Sequence, residues 1–184
     1  NFQNLGLLEK ISDKFSSSLI YRQFFANNIL QKHISNKIIV ELGCGSGFLS
    51  DKIIKGGAKY YHGYDISEEA IKRAKELSVK NGISNKVTFY AKSINDLTKL
   101  KADIIFSLGT LDWLDDDERE NLYKISNGSE CLHSISEKRN SLSQYLHRFY
   151  VNVSYGLKSK GYKPIYLNAE NISKKIEKYS KKKV

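Results

Sequence analysis

"IIVELGCGSGFLS", residues 38–50, is the stretch that decides the fold. A β-branched run leads into Glu41, glycines follow at 43, 45 and 47, and a helical pattern then takes over. Lys37–Leu42 therefore reads as a strand and Phe48–Lys55 as a helix. Glycine reaches backbone conformations closed to other residues, so the turn between them can pass close to a ligand. The helix N-terminus adds the positive end of its dipole. A strand, a glycine turn and a helix together make a nucleotide cradle, and the spacing says which kind. The dinucleotide fingerprint G-x-G-x-x-G would need its third glycine at 48, where the chain has Phe48. What stands here is Gly43-x-Gly45-x-Gly47, with the acidic Glu41 two residues before the first glycine.

Outward from this turn, strand and helix patterns alternate. Tyr60–Tyr64, Val87–Ala91 and Asp103–Leu108 read as strands, and Glu130–Ser136 as a weaker one. Ser67–Asn81 reads as a helix with Ser67 as N-cap, Glu68 and Glu69 in the first turn and Gly82 just past the end. Asp115–Ile125 opens with four acidic residues in a row, another helix start, and Ala169–Tyr179 reads as a last helix. The alternation predicts an α/β fold, doubly wound, with a mostly parallel sheet and helices on both faces.

The expected organisation is a single domain over 1–184. Residues 1–35 form an N-terminal helical region, whose "LIYRQFFANNIL" has apolar positions at helical spacing. That region is read either as a helix packed on the sheet or as a lid over the site. Residues 36–136 form the cofactor-binding core. Residues 137–165 form a substrate-side insertion containing "SLSQYLHRFY", and 166–184 hold the C-terminal helix and the start of a sixth strand.

Composition sets outer bounds. Hydrophobic content of 40% and charged content of 27% fit a globular chain, and no apolar run approaches the roughly 20 residues of a membrane span. The start shows no signal-peptide pattern. Cys44 and Cys131 lack metal-ligand spacing, so no metal site is expected, and reduced thiols point to a cytoplasmic protein. The net charge of +10 invites a nucleic-acid partner. Lysine outnumbers arginine 25 to 5, however, and residues 158–184 hold nine Lys against two Glu. A Lys-rich end is the pattern of a solvated helix face, so a nucleic-acid partner is not expected. The chain has no methionine, as a trimmed segment or a sequence lacking modified residues would show.

With the strand order in place, three motifs resemble one family. "VELGCGSG" is similar to motif I of the class I S-adenosylmethionine-dependent methyltransferases. "YYHGYDISEEAIKRAKE" resembles their motif II, and "ADIIFSLGTLDWLDD" their motif IV. The matches run continuously over residues 37–136. The resemblance implies S-adenosylmethionine as cofactor, with S-adenosylhomocysteine as product. It implies that Gly43, Cys44, Gly45 and Gly47 carry the backbone under the methionine part, with the Cys44 side chain packed. Glu41 would orient the amino group, Asp65 would accept from both ribose hydroxyls, and Ile66 would face the adenine. The carbonyl near Leu108 would accept from the cofactor's ammonium. Many relatives set an acid against the adenine amine after the third strand. "YAKSINDL" places Ser93, followed by Ile94, at that point, so the role weakens or passes to Asp96. The family's seven strands would end in an antiparallel hairpin after Ala169–Tyr179, and Val184 falls where the sixth strand should begin.

The acceptor side is less legible. Motif IV has no proline, unlike the Asn/Asp-Pro-Pro-aromatic signature of nucleic-acid amino methyltransferases. "LG-x-LDW" and "PIYLNAENI" look like the small-molecule branch, so the expected reaction is transfer of a methyl group to an O or N atom of a small-molecule acceptor. The alternatives are an RNA or protein methyltransferase, and a non-catalytic S-adenosylmethionine-binding subunit. Candidate groups at the carboxyl ends of the strands are Asp112, Glu137, His147, Arg148 and Tyr150. His147 and Asp112 compete as the base for a hydroxyl acceptor. His62 and His133 lie within strands and read as structural, while Trp113 is read equally as core or as site mouth. The oligomeric state stays open.

Overall fold

In a computed structural model of the chain, residues 20–138, 142, 144–146 and 165–179 are described. Five parallel strands form one sheet: β1 (Ile38–Leu42), β2 (Tyr60–Asp65), β3 (Val87–Ala91), β4 (Ile104–Leu108) and β5 (Glu130–Ser134). Their spatial order is β3-β2-β1-β4-β5. The order reverses between β1 and β4, so the crevice where open α/β sheets bind ligands lies at the carboxyl ends of these two strands. The expected doubly wound α/β architecture is the observed one.

The helices are α1 (residues 20–30), α2 (Ser50–Lys55), α3 (Glu68–Lys80), α4 (Asp116–Ile125) and α5 (Ala169–Tyr179). Their starts follow from capping. The Ser67 hydroxyl accepts from the Ala70 N–H at 3.2 Å, satisfying one of the donors a helix start leaves unpaired. At α4, Asp115 and Glu118 cap each other reciprocally. The β-strand expected at Glu130–Ser136 stops at Ser134. Beyond it the chain leaves β4 and pairs with 165–167: the Leu167 N–H donates to the Ser136 carbonyl at 2.9 Å, and the Lys138 N–H to the Leu167 carbonyl at 2.9 Å.

Side chains alternate between two cores, one on each face of the sheet. Ile39, Tyr61, Phe89, Ile104 and Phe106 pack with Ile53, Ile71, Leu30 and Ile34 on one face. Val40, Leu42 and Ile105 pack with Leu122, Tyr123 and Ile172 on the other. Helix α1 buries Ala26 and Leu30, while Ile20, Tyr21, Phe24 and Phe25 are more than half exposed. It is therefore a helix packed on the domain, and its first turn also reaches the site. Of the expected helix in "SLSQYLHRFY", residues 142 and 144–146 are helical. His147, Arg148 and Tyr150 lie outside the described residues.

Candidate functional site

A cleft of about 360 Å³ opens at the carboxyl ends of β1, β2, β3 and β4. That volume lies in the range of small-ligand sites, about 300–1,000 Å³. Gly43, Tyr64, Asp65 and Ile66 line it from the first two strands, and Lys92, Ser93 and Ile94 from the loop after β3. Leu108, Gly109, Thr110, Trp113, Leu114 and Glu118 complete it from the loop after β4 and the start of α4.

The glycine turn is held by backbone bonds. The Gly43 and Cys44 N–H groups both donate to the Tyr64 carbonyl, at 2.7 and 3.0 Å. Gly43 has φ +75°, and a Cβ there would lie 2.1 Å from Thr110 Oγ1, which itself donates to the Leu42 carbonyl at 2.9 Å. Only glycine lets these two segments meet. Gly45 also has positive φ, +52°, but a Cβ on it would meet nothing within 4 Å. Space is open above the turn where a ligand would pass.

Asp65 ties the turn to the second strand. Its Oδ2 accepts from the Gly45 N–H at 2.8 Å and its Oδ1 from the Ser67 N–H at 2.9 Å. Each carboxylate oxygen keeps acceptor capacity beyond one such bond. Ile66 is 66% exposed and presents an apolar surface at the rim. Ser93 lines the cleft too, but its hydroxyl already accepts from the Asn95 N–H at 3.2 Å as the cap of a short 3-10 turn, Ile94–Asp96. Asp96 is exposed and is not part of the lining.

Of the residues expected at the cofactor, Glu41 and Cys44 do not put their side chains in the cleft. Glu41 is 5% exposed, does not line the cleft, and takes a short hydrogen bond from the Tyr61 hydroxyl. Burial raises its carboxyl pKa to about 8, with the nearby Asp65 charge adding to the rise and the Tyr61 bond opposing it. The signal for this pairing was legible: β1 and β2 are adjacent, and Glu41 and Tyr61 fall on one face. Cys44 turns its side chain into the core, where a Cβ on Gly63 would lie 2.7 Å from its Sγ. Burial pushes that thiol well above its usual range, so it is a poor nucleophile.

Of the two expected bases, Asp112 is 4% exposed and is not in the cleft lining. Its Oδ1 accepts from the Ser136 N–H at 2.7 Å, and its Oδ2 accepts from the Ser136 hydroxyl at 2.7 Å and from Arg22 Nη1 at 3.2 Å. Arg22 Nη2 also donates to Ser136 Oγ at 2.8 Å. Gly109 makes room for this guanidinium: a Cβ there would lie 2.6 Å from Arg22 Nη1. The first turn of α1 is thus fastened across the carboxyl ends of β4 and β5, beside the cleft. His147 lies outside the described residues. His133 is structural in its surroundings: its Nδ1 is 2.9 Å from Ser107 Oγ, and burial lowers its pKa to about 4. Trp113 lines the cleft. Among the described residues, no group of three or more His, Cys, Asp or Glu could hold a metal.

Comparison with known proteins places this geometry. The family described as "Methyltransferase domain" matches residues 33–180, and the chain belongs to it. Fold and motif together are those of the class I S-adenosylmethionine-dependent methyltransferases, whose cofactor is S-adenosylmethionine. The glycine cradle, the Asp65 carboxylate and the apolar rim fit that molecule. Protein arginine N-methyltransferase 1 of Saccharomyces cerevisiae is 35% identical over 58% of this chain and 30% of its own length. Ribosomal protein L11 methyltransferase of Hamiltonella defensa is 35% identical over 39% of this chain and 23% of its own. The chain thus spans less than a third of these curated relatives. Among solved structures, magnesium protoporphyrin IX methyltransferase from Synechocystis shares the fold at a TM-score of 0.67 and 17% identity, covering 97% of this chain and 78% of the other. An S-adenosylmethionine-dependent methyltransferase from Mesorhizobium loti does so at 0.65 and 18%, covering 86% and 80%.

Proposed function

We propose that this chain binds S-adenosylmethionine in the cleft at the β1–β4 crevice and catalyses methyl transfer to an O or N atom of a small-molecule acceptor. The observation that carries the reading is the joint between Asp65 and the glycine turn at the carboxyl end of β1. One carboxylate there both fixes the Gly45 N–H and faces the cleft.

When bound, the cofactor supplies a methyl group on a sulfonium, whose departure needs no activation. In this reading Asp65 holds the ribose, and Ile66, Ile94 and Leu114 enclose the adenine. The open backbone at Gly43–Gly45 and the Leu108 carbonyl hold the methionine part. Along the wall from Leu108 to Thr110 and at Trp113, no described residue offers an ionisable side chain. The chain's work there is to align the acceptor and exclude water. Asp112, neutralised by Arg22, positions α1 and is not the base. Should the acceptor be a hydroxyl, His147 is the residue proposed to take or orient its proton. His147→Ala would then lower turnover by roughly 10²–10⁴ without changing cofactor affinity.

The small-molecule assignment is supported by the stretch that leaves β4, Leu108-Gly109-Thr110-Leu111-Asp112-Trp113, which carries no proline. A protein acceptor is the second reading, favoured by the curated relatives named above, whose names are those of protein methyltransferases. The matched region covers 58% of the chain at most in these two relatives. Incubation of the chain with methyl-labelled S-adenosylmethionine and a cell extract separates the two. Label in an acid-soluble compound resolved from S-adenosylmethionine and absent from the extract alone supports the small-molecule reading, and label on precipitated protein beyond that of the extract alone supports the other.

A further inference from the structure

Among the described residues, one part of the sheet lacks the cover that a parallel sheet ordinarily has on both faces. The crossovers β1–β2, β2–β3 and β4–β5 carry α2, α3 and α4, but residues 92–103, between β3 and β4, hold only the 3-10 turn Ile94–Asp96. On the face shared with Val40 and Leu42, the register sets Tyr60, His62 and Tyr64 of β2 beside Thr88 and Tyr90 of β3. Tyr60 is 43% and Tyr90 36% exposed, and Thr88 is exposed as well. The rings form a ladder. Tyr64 and Tyr90 stack with centroids 4.9 Å apart and planes 17° from parallel, and the His62 ring centre lies 6.5 Å from that of Tyr90. Strand β3 is at the sheet edge, so the side of the Tyr90 ring turned from Tyr64 looks outward. Lysines surround the ladder. Lys59 Nζ stands 5.9 Å from the centre of the Tyr60 ring. Lys86 and Lys92 flank β3, and Lys99 and Lys101 follow in the crossover. All five are exposed and, among the described residues, none forms an ion pair. Of the carboxylates in the same stretches, Asp65 accepts from the Gly45 and Ser67 N–H groups and Asp103 from the Ile38 N–H at 2.8 Å, which leaves Asp96.

We propose that this face is a platform for single-stranded nucleic acid, on which bases continue the Tyr64–Tyr90 stack and the surrounding lysines meet the phosphates. A covering helix would need aliphatic residues to pack on, and at these five positions the face has no Leu, Ile or Val. A second copy of the chain would set a charge of +10 against +10. Exposed flat rings among unpaired lysines suit a single strand, because every base has a π face to stack and every nucleotide a phosphate to neutralise. A duplex keeps its base faces hidden and gains only from the lysines. The expectation from composition weighed the lysines of 158–184, and these five lie elsewhere in the chain. This binding goes beyond the proposed methyl transfer and does not depend on what occupies the cleft.

The test is fluorescence anisotropy of the full chain with a labelled, mixed-sequence RNA strand of roughly 12 nucleotides, alone and paired in a duplex, at about 0.15 M salt. Wild type should bind the single strand about tenfold more tightly than the duplex. Tyr90→Ala should weaken single-strand binding about tenfold and leave duplex binding unchanged. Tyr90→Phe, which keeps the ring, should bind as wild type does. Tyr90→Leu, which keeps apolar bulk without a flat face, should behave like the Ala variant, and unchanged duplex binding in all three variants shows that the fold is intact. Wild type that does not favour the single strand, or a Tyr90→Ala protein with unchanged affinity for it, would show lysine charge alone at work and overturn the proposal. Absence of single-strand binding by wild type would overturn it too, and leave the face to a protein partner.

Discussion

The cleft and the latch beside it are built in different ways. The turn at the cleft is backbone: positive-φ glycines, N–H groups aimed at one carbonyl, and Asp65 only 20 residues from the N–H it receives. The latch is side chain: Arg22 reaches Asp112 across 90 residues and Ser136 across 114. A backbone site tolerates change in everything except the glycines and the one carboxylate, so a family can share it. A site held by distant side chains is free to differ from one member to the next.

The comparison breaks most sharply at the glycines. Gly43→Ala should cost about 3–4 kcal/mol, from left-handed backbone and the overlap with Thr110 together. Gly45→Ala should cost only about 1–2 kcal/mol, because its surroundings are open. Denaturant melts of both variants check the difference. Equal losses would mean that the close approach to Thr110 is not what holds the turn.

Buried titratable groups give the two halves opposite pH responses. Unfolded, Glu41 ionises near 4.5, and folded it keeps its proton to about 8. Between those values the unfolded state loses a proton the folded state retains, so stability falls as pH rises. Glu41→Gln should remove that slope, which is on the order of 5 kcal/mol across the window. His133 runs the other way. Its pKa drops from 6.5 to about 4 on folding, so stability falls as pH drops through that interval. His133→Gln should flatten the acid limb by on the order of 3 kcal/mol. Unfolding free energies measured from pH 4 to 9 sharpen or erase the contrast.

At the latch, Arg22→Ala leaves the Asp112 carboxylate with Ser136 alone. Arg22 is partly exposed and Asp112 is not, so the loss should be about 2–3 kcal/mol, below that of a fully buried pair. Turnover should fall while S-adenosylhomocysteine affinity stays within a few-fold, with partial recovery in Arg22→Lys. An equal loss of cofactor affinity would show that the cleft and the latch are not separable.

What could be read from the sequence follows the same division. Strand β3 and helix α5 lie where period and capping put them, because those signals are local. The caps at Ser67 and Asp115 were written in the residues around them. The satisfaction of Asp112 by Arg22 was not. It depends on a helix crossing from the far end of the chain, and no window of sequence contains both partners. Asp112 was singled out for its place after β4. Its neighbours, which decide what it does, come from α1 and from beyond β5.

The account stands on the cleft being the S-adenosylmethionine site with Asp65 at its centre. Isothermal titration of wild type and Asp65→Ala with S-adenosylmethionine tests it most directly. The account predicts binding by wild type and a loss of about 1.5–3 kcal/mol in the variant, the range for hydrogen bonds to a charged group. A wild type that does not bind, or a variant with an unchanged dissociation constant, would contradict it.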